Sequence, residues 1–159
     1  MGSNHNFISD KSLSKVCFRS KHSLEDLALK NAVHLTNESI LENLSLLQRL
    51  VRLDLSYTKQ IDDVVIKAIA TKMRSLKKIS LRFLNEITSD SIVMILDQQK
   101  MLEGLDISGC FKVNLDSTMV KLRDNKHLRC LLLEYLFIQP QQLYHLKATN
   151  IQTISLFCK

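Results

Sequence analysis

The sequence predicts an α/β solenoid, a short right-handed horseshoe with a parallel sheet of about six strands on its concave face and four or five helices on its convex face. Three observations carry this. A Leu-x-x-Leu-x-Leu pattern recurs as LEDLAL from Leu24, LVRLDL from Leu50, LKKISL from Leu76, LEGLDI from Leu102, LRCLLL from Leu128 and IQTISL from Ile151. Successive copies start 26, 26, 26, 26 and 23 residues apart, and all eighteen framework positions are aliphatic. Most copies then run from an aliphatic at position 12 into a cluster of helix-capping polar residues. Self-similarity at this period marks stacked units, each too small to bury its own apolar face.

Residues 1–10 are polar apart from the start Met, Phe7 and Ile8, and carry no period. In 11–19, Leu13, Val16 and Cys17 fall at i, i+3 and i+4, which predicts a short amphipathic helix covering the first repeat. Residues 1–23 are therefore expected to be a loose N-terminus with a capping helix, and 24–159 the repeat domain, its last copy a half-repeat at 151.

Each repeat opens with a strand whose positions 1, 4 and 6 point inward. Position 9, occupied by Ala32, Thr58, Leu84, Cys110 and Leu136, turns back into the core. Position 12 does the same with Leu35, Ile61, Ile87 and Val113, and Ile138 comes one residue early. Thr36-Asn37, Asp62-Asp63, Thr88-Ser89-Asp90 and Asn114 to Ser117 follow, and their side-chain oxygens can accept from unpaired backbone N–H groups, so a helix starts there. Inward helix residues recur in step: Ile40 with Leu44, Ile66 with Ala70, Ile92 with Leu96, Thr118 with Leu122. Pro140 sits near the first turn of the fifth helix, where its missing N–H costs nothing. Strands stack about 4.8 Å apart while helices need roughly twice that, so the array curves with the sheet inside.

The bulk properties narrow the function. A chain of 159 residues with 45% hydrophobic content supports one domain. The net charge of +6 comes from 22 basic residues interleaved with 16 acidic ones, which is not the dense footprint of a nucleic-acid binder. Lys72, Arg74, Lys77 and Lys78, echoed by Lys121, Arg123, Lys126 and Arg129, fall mostly at helix C-termini, where cations complement the dipole. The four cysteines have no CxxC spacing and fit a reducing compartment. No signal-like start and no bilayer-length apolar run is present. The five histidines fall in different parts of the repeat without metal-ligand spacing, and three glycines make no phosphate cradle. No catalytic residue, cofactor, metal, membrane or small-molecule substrate is expected. Cys110 is read as core and Cys130 as an outward strand residue.

What remains is the concave face, at positions 3, 5, 7 and 8. Tyr57, Phe83 and Tyr135 share position 8 and should line one rim, beside a basic group of Arg52, Lys78 and Arg82. Rigid aromatic and arginine side chains are common interface anchors. The expected partner-binding set is Arg52, Asp54, Tyr57, Lys78, Arg82, Phe83, Asp106, Leu132, Glu134 and Tyr135, facing a protein partner. The alternative is that the rings only cover their own turns. A second contact is expected at the C-terminal strand edge around Leu156.

The segments LDISGCFKV at Leu105 to Val113, LRFLNEITSDSI at Leu81 to Ile92 and LDLSYTKQIDDVVI at Leu53 to Ile66 resemble the leucine-rich repeat (LRR), ribonuclease-inhibitor-like class. More narrowly they resemble the 26-residue cysteine-containing subtype of F-box/LRR proteins. Only Cys110 occupies the subtype's first cysteine position, and Leu47, Met73, Gln99 and Asn125 stand at its second. No F-box is visible in the 23 residues before Leu24. The resemblance implies a non-enzymatic recognition module, the substrate-reading part or relative of a ubiquitin-ligase subunit, in the cytoplasm or nucleus. Its alternative is an assembly factor like the small mitochondrial LRR proteins that resemble ATP synthase subunit s.

Overall fold

The computed structural model describes residues 8–146 and 149–156. Helices and strands alternate throughout: α1 Asp10–Ser20, β1 Asp26–Ala28, α2 Asn37–Leu44, β2 Arg52–Asp54, α3 Asp63–Lys72, β3 Lys78–Ser80, α4 Ser89–Gln98, β4 Gly104–Asp106, α5 Leu115–Asp124, β5 Cys130–Leu132, α6 Pro140–Leu146 and β6 Thr153–Ser155. The six strands form one parallel sheet in sequence order. Leu27 faces Leu53, then Ile79, Leu105 and Leu131 in turn, each 26 residues on, and Leu131 faces Ile154. The solenoid expected from the repeat is the observed fold, with α2 to α6 joining successive strands.

The framework aliphatics build the core. In the four copies from Leu50 to Leu133, positions 1, 4 and 6 are all buried. The ends differ: Leu24 and Leu27 are half-buried, and Ile154 and Leu156 are 38% and 41% exposed. In α1, Leu13 and Cys17 are buried, whereas Val16, expected beside them, is exposed, since only the first two reach the layer below. Thr36, Asp62, Thr88 and Asn114 are the N-caps of α2 to α5, each accepting a backbone N–H of its own helix.

Polar groups also tie one repeat to the next. Asp63 accepts from the Thr88 backbone N–H and hydroxyl at 2.7 and 2.6 Å. Desolvation opposes the charged carboxylate, but these bonds outweigh it and hold Asp63 below the ordinary carboxylate range. Asp10 does the same for Thr36 in the capping helix. Gln99, standing where the subtype has a cysteine, donates at 2.7 Å to the Ala70 carbonyl at the end of the preceding helix. Asn125 donates to Leu96 in the same way, at 3.4 Å.

In two repeats position 9 carries a donor as well as bulk. Thr58 Oγ1 donates at 2.8 Å to the Leu29 carbonyl, and Cys110 Sγ at 3.0 Å to the Leu81 carbonyl. Burial pushes the Cys110 thiol up to about 12, so it stays protonated and keeps its donor. Thr58→Val preserves the shape and removes that donor. The unfolding free energy, read by urea titration, should fall by about 1–2 kcal/mol because a buried carbonyl loses its partner.

Candidate functional site

Alternation along each strand sends positions 3 and 5 to the open face of the sheet. They line a groove of about 480 Å³ that runs from Asp26 and Ala28 on β1, past Arg52, Lys78 and Gly104, to Cys130 and Leu132 on β5. A polar chain crosses the same face. Lys30 pairs with Asp54 at 3.1 Å, and Asp54 accepts the Ser56 backbone N–H. The Ser56 and Ser80 hydroxyls lie 2.9 Å apart, and Ser80 donates to Asp106 at 3.2 Å. Arg82 lies 3.8 Å from Asp106 and donates to Glu134 at 2.6 Å, and Glu134 accepts from Ser155 at 2.8 Å. Five repeats and the terminal strand are thus joined by side chains as well as by backbone.

The rim is set by the backbone at position 8. Asn31, Tyr57, Phe83, Gly109 and Tyr135 all adopt left-handed conformations, with φ between 54° and 67°. Their N–H groups still continue the ladder in four of these repeats, donating to Ser56, Arg82, Ser108 and Glu134 at 2.8–2.9 Å. The chain turns away from the sheet here without forfeiting a hydrogen bond. Asn31 and Gly109 are residue types suited to this region; an aromatic residue pays about 1–2 kcal/mol to occupy it.

The rings this conformation projects are in mutual contact. Tyr57 stacks on Phe83 with centroids 5.1 Å apart and planes 18° apart. Phe83 meets Tyr135 at 5.3 Å and Phe111 edge-on at 6.2 Å. Phe83 reaches Tyr135, two repeats away, by lying over Gly109, where an added Cβ would come within 2.5 Å of its ring carbons. The Arg82 guanidinium sits 5.6 Å from the Phe83 centroid and 5.2 Å from that of Tyr135. Desolvation works against its charge, but hydrogen bonds to Glu134 and Tyr57 and the charges of Asp106 and Glu134 raise its pKa above the ordinary arginine value. The bond from Arg82 holds Glu134 below the ordinary carboxylate range.

The expected site residues therefore separate into two groups. Tyr57, Arg82, Phe83, Asp106, Glu134 and Tyr135 form one cluster at the rim, while Arg52, Asp54, Lys78 and Leu132 lie along the groove. The rings stack across repeats instead of only covering their own turns. Arg52, Lys78 and Arg82 do not act as one basic group: Arg52 is bound bidentately by Asp26 and Arg82 faces the rim acids, leaving Lys78 without an ion pair among the described residues. Phe111 and Phe137, both at position 10 and 64% and 85% exposed, extend the aromatic surface and were not anticipated. The same alignment column, Val33, Lys59, Asn85, Phe111 and Phe137, holds that signal.

Elsewhere, the second basic stretch is largely engaged: Lys77 with Glu103, Lys121 with Asp97, Arg123 with Asp124, and Arg74 with Gln98. Among the described residues no group of three or more His, Cys, Asp or Glu side chains could hold a metal ion, and no helix is long and apolar enough to cross a membrane. Phe157 and Cys158, which fall at positions 7 and 8 of the copy starting at Ile151, lie outside the described residues.

No protein-family profile matches the chain, and no curated protein does. Solved structures do. The tropomodulin C-terminal domain of Caenorhabditis elegans superposes with a TM-score of 0.70 at 12% identity, covering 88% of this chain and 90% of that one. The fold is that of a leucine-rich repeat solenoid. Leiomodin-1 actin-binding site 2 matches at 0.65 and 20% identity over 84% of each chain. A chain of the yeast Rad7–Elc1 complex matches at 0.78 and 17% identity, covering 97% of this chain and 40% of that one. At these identities the likeness is one of fold.

Proposed function

We propose that this LRR chain is a non-catalytic protein-recognition module that holds a partner protein through its concave groove and aromatic rim. The rim carries the reading. Tyr57, Phe83 and Tyr135 sit in a backbone conformation that Asn or Gly would adopt at lower cost, yet the Tyr57 and Tyr135 rings are exposed, with half-buried Phe83 packed between them. Strain retained in exposed aromatic residues, on a surface already tied together by Arg82, suits a preorganised contact surface. More narrowly, we propose that it reads substrates for a ubiquitin ligase. The 26-residue period and the LDISGCFKV match support that placement. That Cys17, Cys110 and Cys130 form no disulfide among the described residues supports a reducing cytoplasmic or nuclear setting.

Tyr57→Ala combined with Phe111→Ala removes two exposed rings and leaves the core intact. Capture from native lysate, read by mass spectrometry for ligase adaptors and for actin, should lose its specific partners at least tenfold, a cost expected of interface anchors. The melting temperature should stay within a few degrees. Unchanged capture by the folded variant would remove the rim from the interface.

A further inference from the structure

Resting on that recognition reading, we propose that the concave groove takes a segment of the partner protein that seats a single carboxylate on Lys78 and an apolar side chain beside it against Cys130 and Leu132. Four cations stand on this face. Lys30 has Asp54, Arg52 has Asp26 and Arg82 has Glu134 as acid partners within 4 Å. Lys78 has none among the described residues, and it stands in register with Arg52, a second cation, on β2. A partner that covers the groove desolvates this ammonium, and an ammonium taken out of water without a counter-charge is strongly disfavoured. The face holds as many carboxylates as cations, but none of the described ones pairs with Lys78, so a carboxylate in whatever lies in the groove would supply its counter-charge.

Gly104 makes room for the Lys78 stem and is itself buried beneath it. It interrupts the position 3 row between Lys78 and Cys130. The Lys78 stem fills part of the gap, its Cγ 3.2 Å from where a Cβ would stand. Beyond the glycine, half-buried Cys130 and Leu132 line the groove. One open cation beside an apolar hollow complements a carboxylate next to an aliphatic or aromatic side chain. A nucleic acid would instead want a row of open cations for successive phosphates, and here the others are already matched.

A random-peptide phage library selected on the full chain tests this. The expected enrichment is for peptides with an acidic residue adjoining an apolar one. Lys78→Glu should abolish their binding and, used as bait, select basic peptides instead. Gly104→Asp, which puts an internal carboxylate beside Lys78, should weaken the selected peptides at least tenfold while the melting temperature is kept. Enriched peptides without acidic bias, or equal affinity for Lys78→Glu, overturn the proposal, as does a library that enriches nothing. Peptides lost by the Tyr57→Ala, Phe111→Ala variant but indifferent to Lys78→Glu overturn it and leave the recognition reading standing. Preferential, Lys78-dependent capture of a poly(U) oligonucleotide overturns both.

Discussion

Replacing Leu81 with alanine should lower the unfolding free energy by about 3 kcal/mol, within the range for a fully buried leucine whose surroundings cannot close the void. Leu81 follows β3, is fully buried, and shares its column with Leu55 and Ile107, which are fully buried too. Its carbonyl accepts the Cys110 thiol and its N–H donates to Asp106, so the backbone is pinned on both sides of the cavity. Each unit of a stacked array is held only by its neighbours. A weakened third repeat therefore loosens the repeats before it from those after it. Urea titration followed by circular dichroism should show a lower midpoint and a shallower slope, the sign of halves that no longer unfold together. A loss under about 1 kcal/mol would mean that the column slides to fill the space.

Gly109→Ala is expected to cost about 2 kcal/mol and to displace the Phe83 ring. Two effects contribute. The left-handed φ of 67° disfavours any side chain by about 1 kcal/mol, and the new Cβ would stand 2.5 Å from Phe83 ring carbons. The second effect is separable: in a Phe83→Ala background the same substitution should cost only the conformational part. A double-mutant cycle should therefore give a coupling near 1 kcal/mol, and simple additivity would place the ring elsewhere. Because Phe83 links Tyr57 to Tyr135, Gly109→Ala should also impair partner binding without touching a ring directly.

These two positions show what the sequence alone discloses. Leu81 is legible, because an aliphatic recurring every 26 residues has one physical explanation, and the strand register and helix caps follow from the same count. The position 8 column was legible as a row of rings, but not as a left-handed turn, since nothing in Tyr or Phe announces a conformation they disfavour. The neutralisation of Arg82 was hidden for another reason. Its acid, Glu134, stands 52 residues away, two layers along, and a per-repeat reading compares positions within one layer. Thr58 and Cys110 were read as space-filling, whereas their donor role depends on a carbonyl of the preceding repeat. Phe111 and Phe137 were missed because position 10 lies past the strand.

The short sequence offset between paired strands, 26 residues and 23 for the last pair, also bears on how the chain is made. Every strand pairs only with its sequence neighbours, so no segment must wait for a distant one to be synthesised. As each 26-residue unit clears the ribosome it can dock on the unit before it, beginning with the one α1 covers. The nascent chain then holds about one repeat's worth of leucines in the open at any moment, and its exposure to aggregation does not grow with the length of the array.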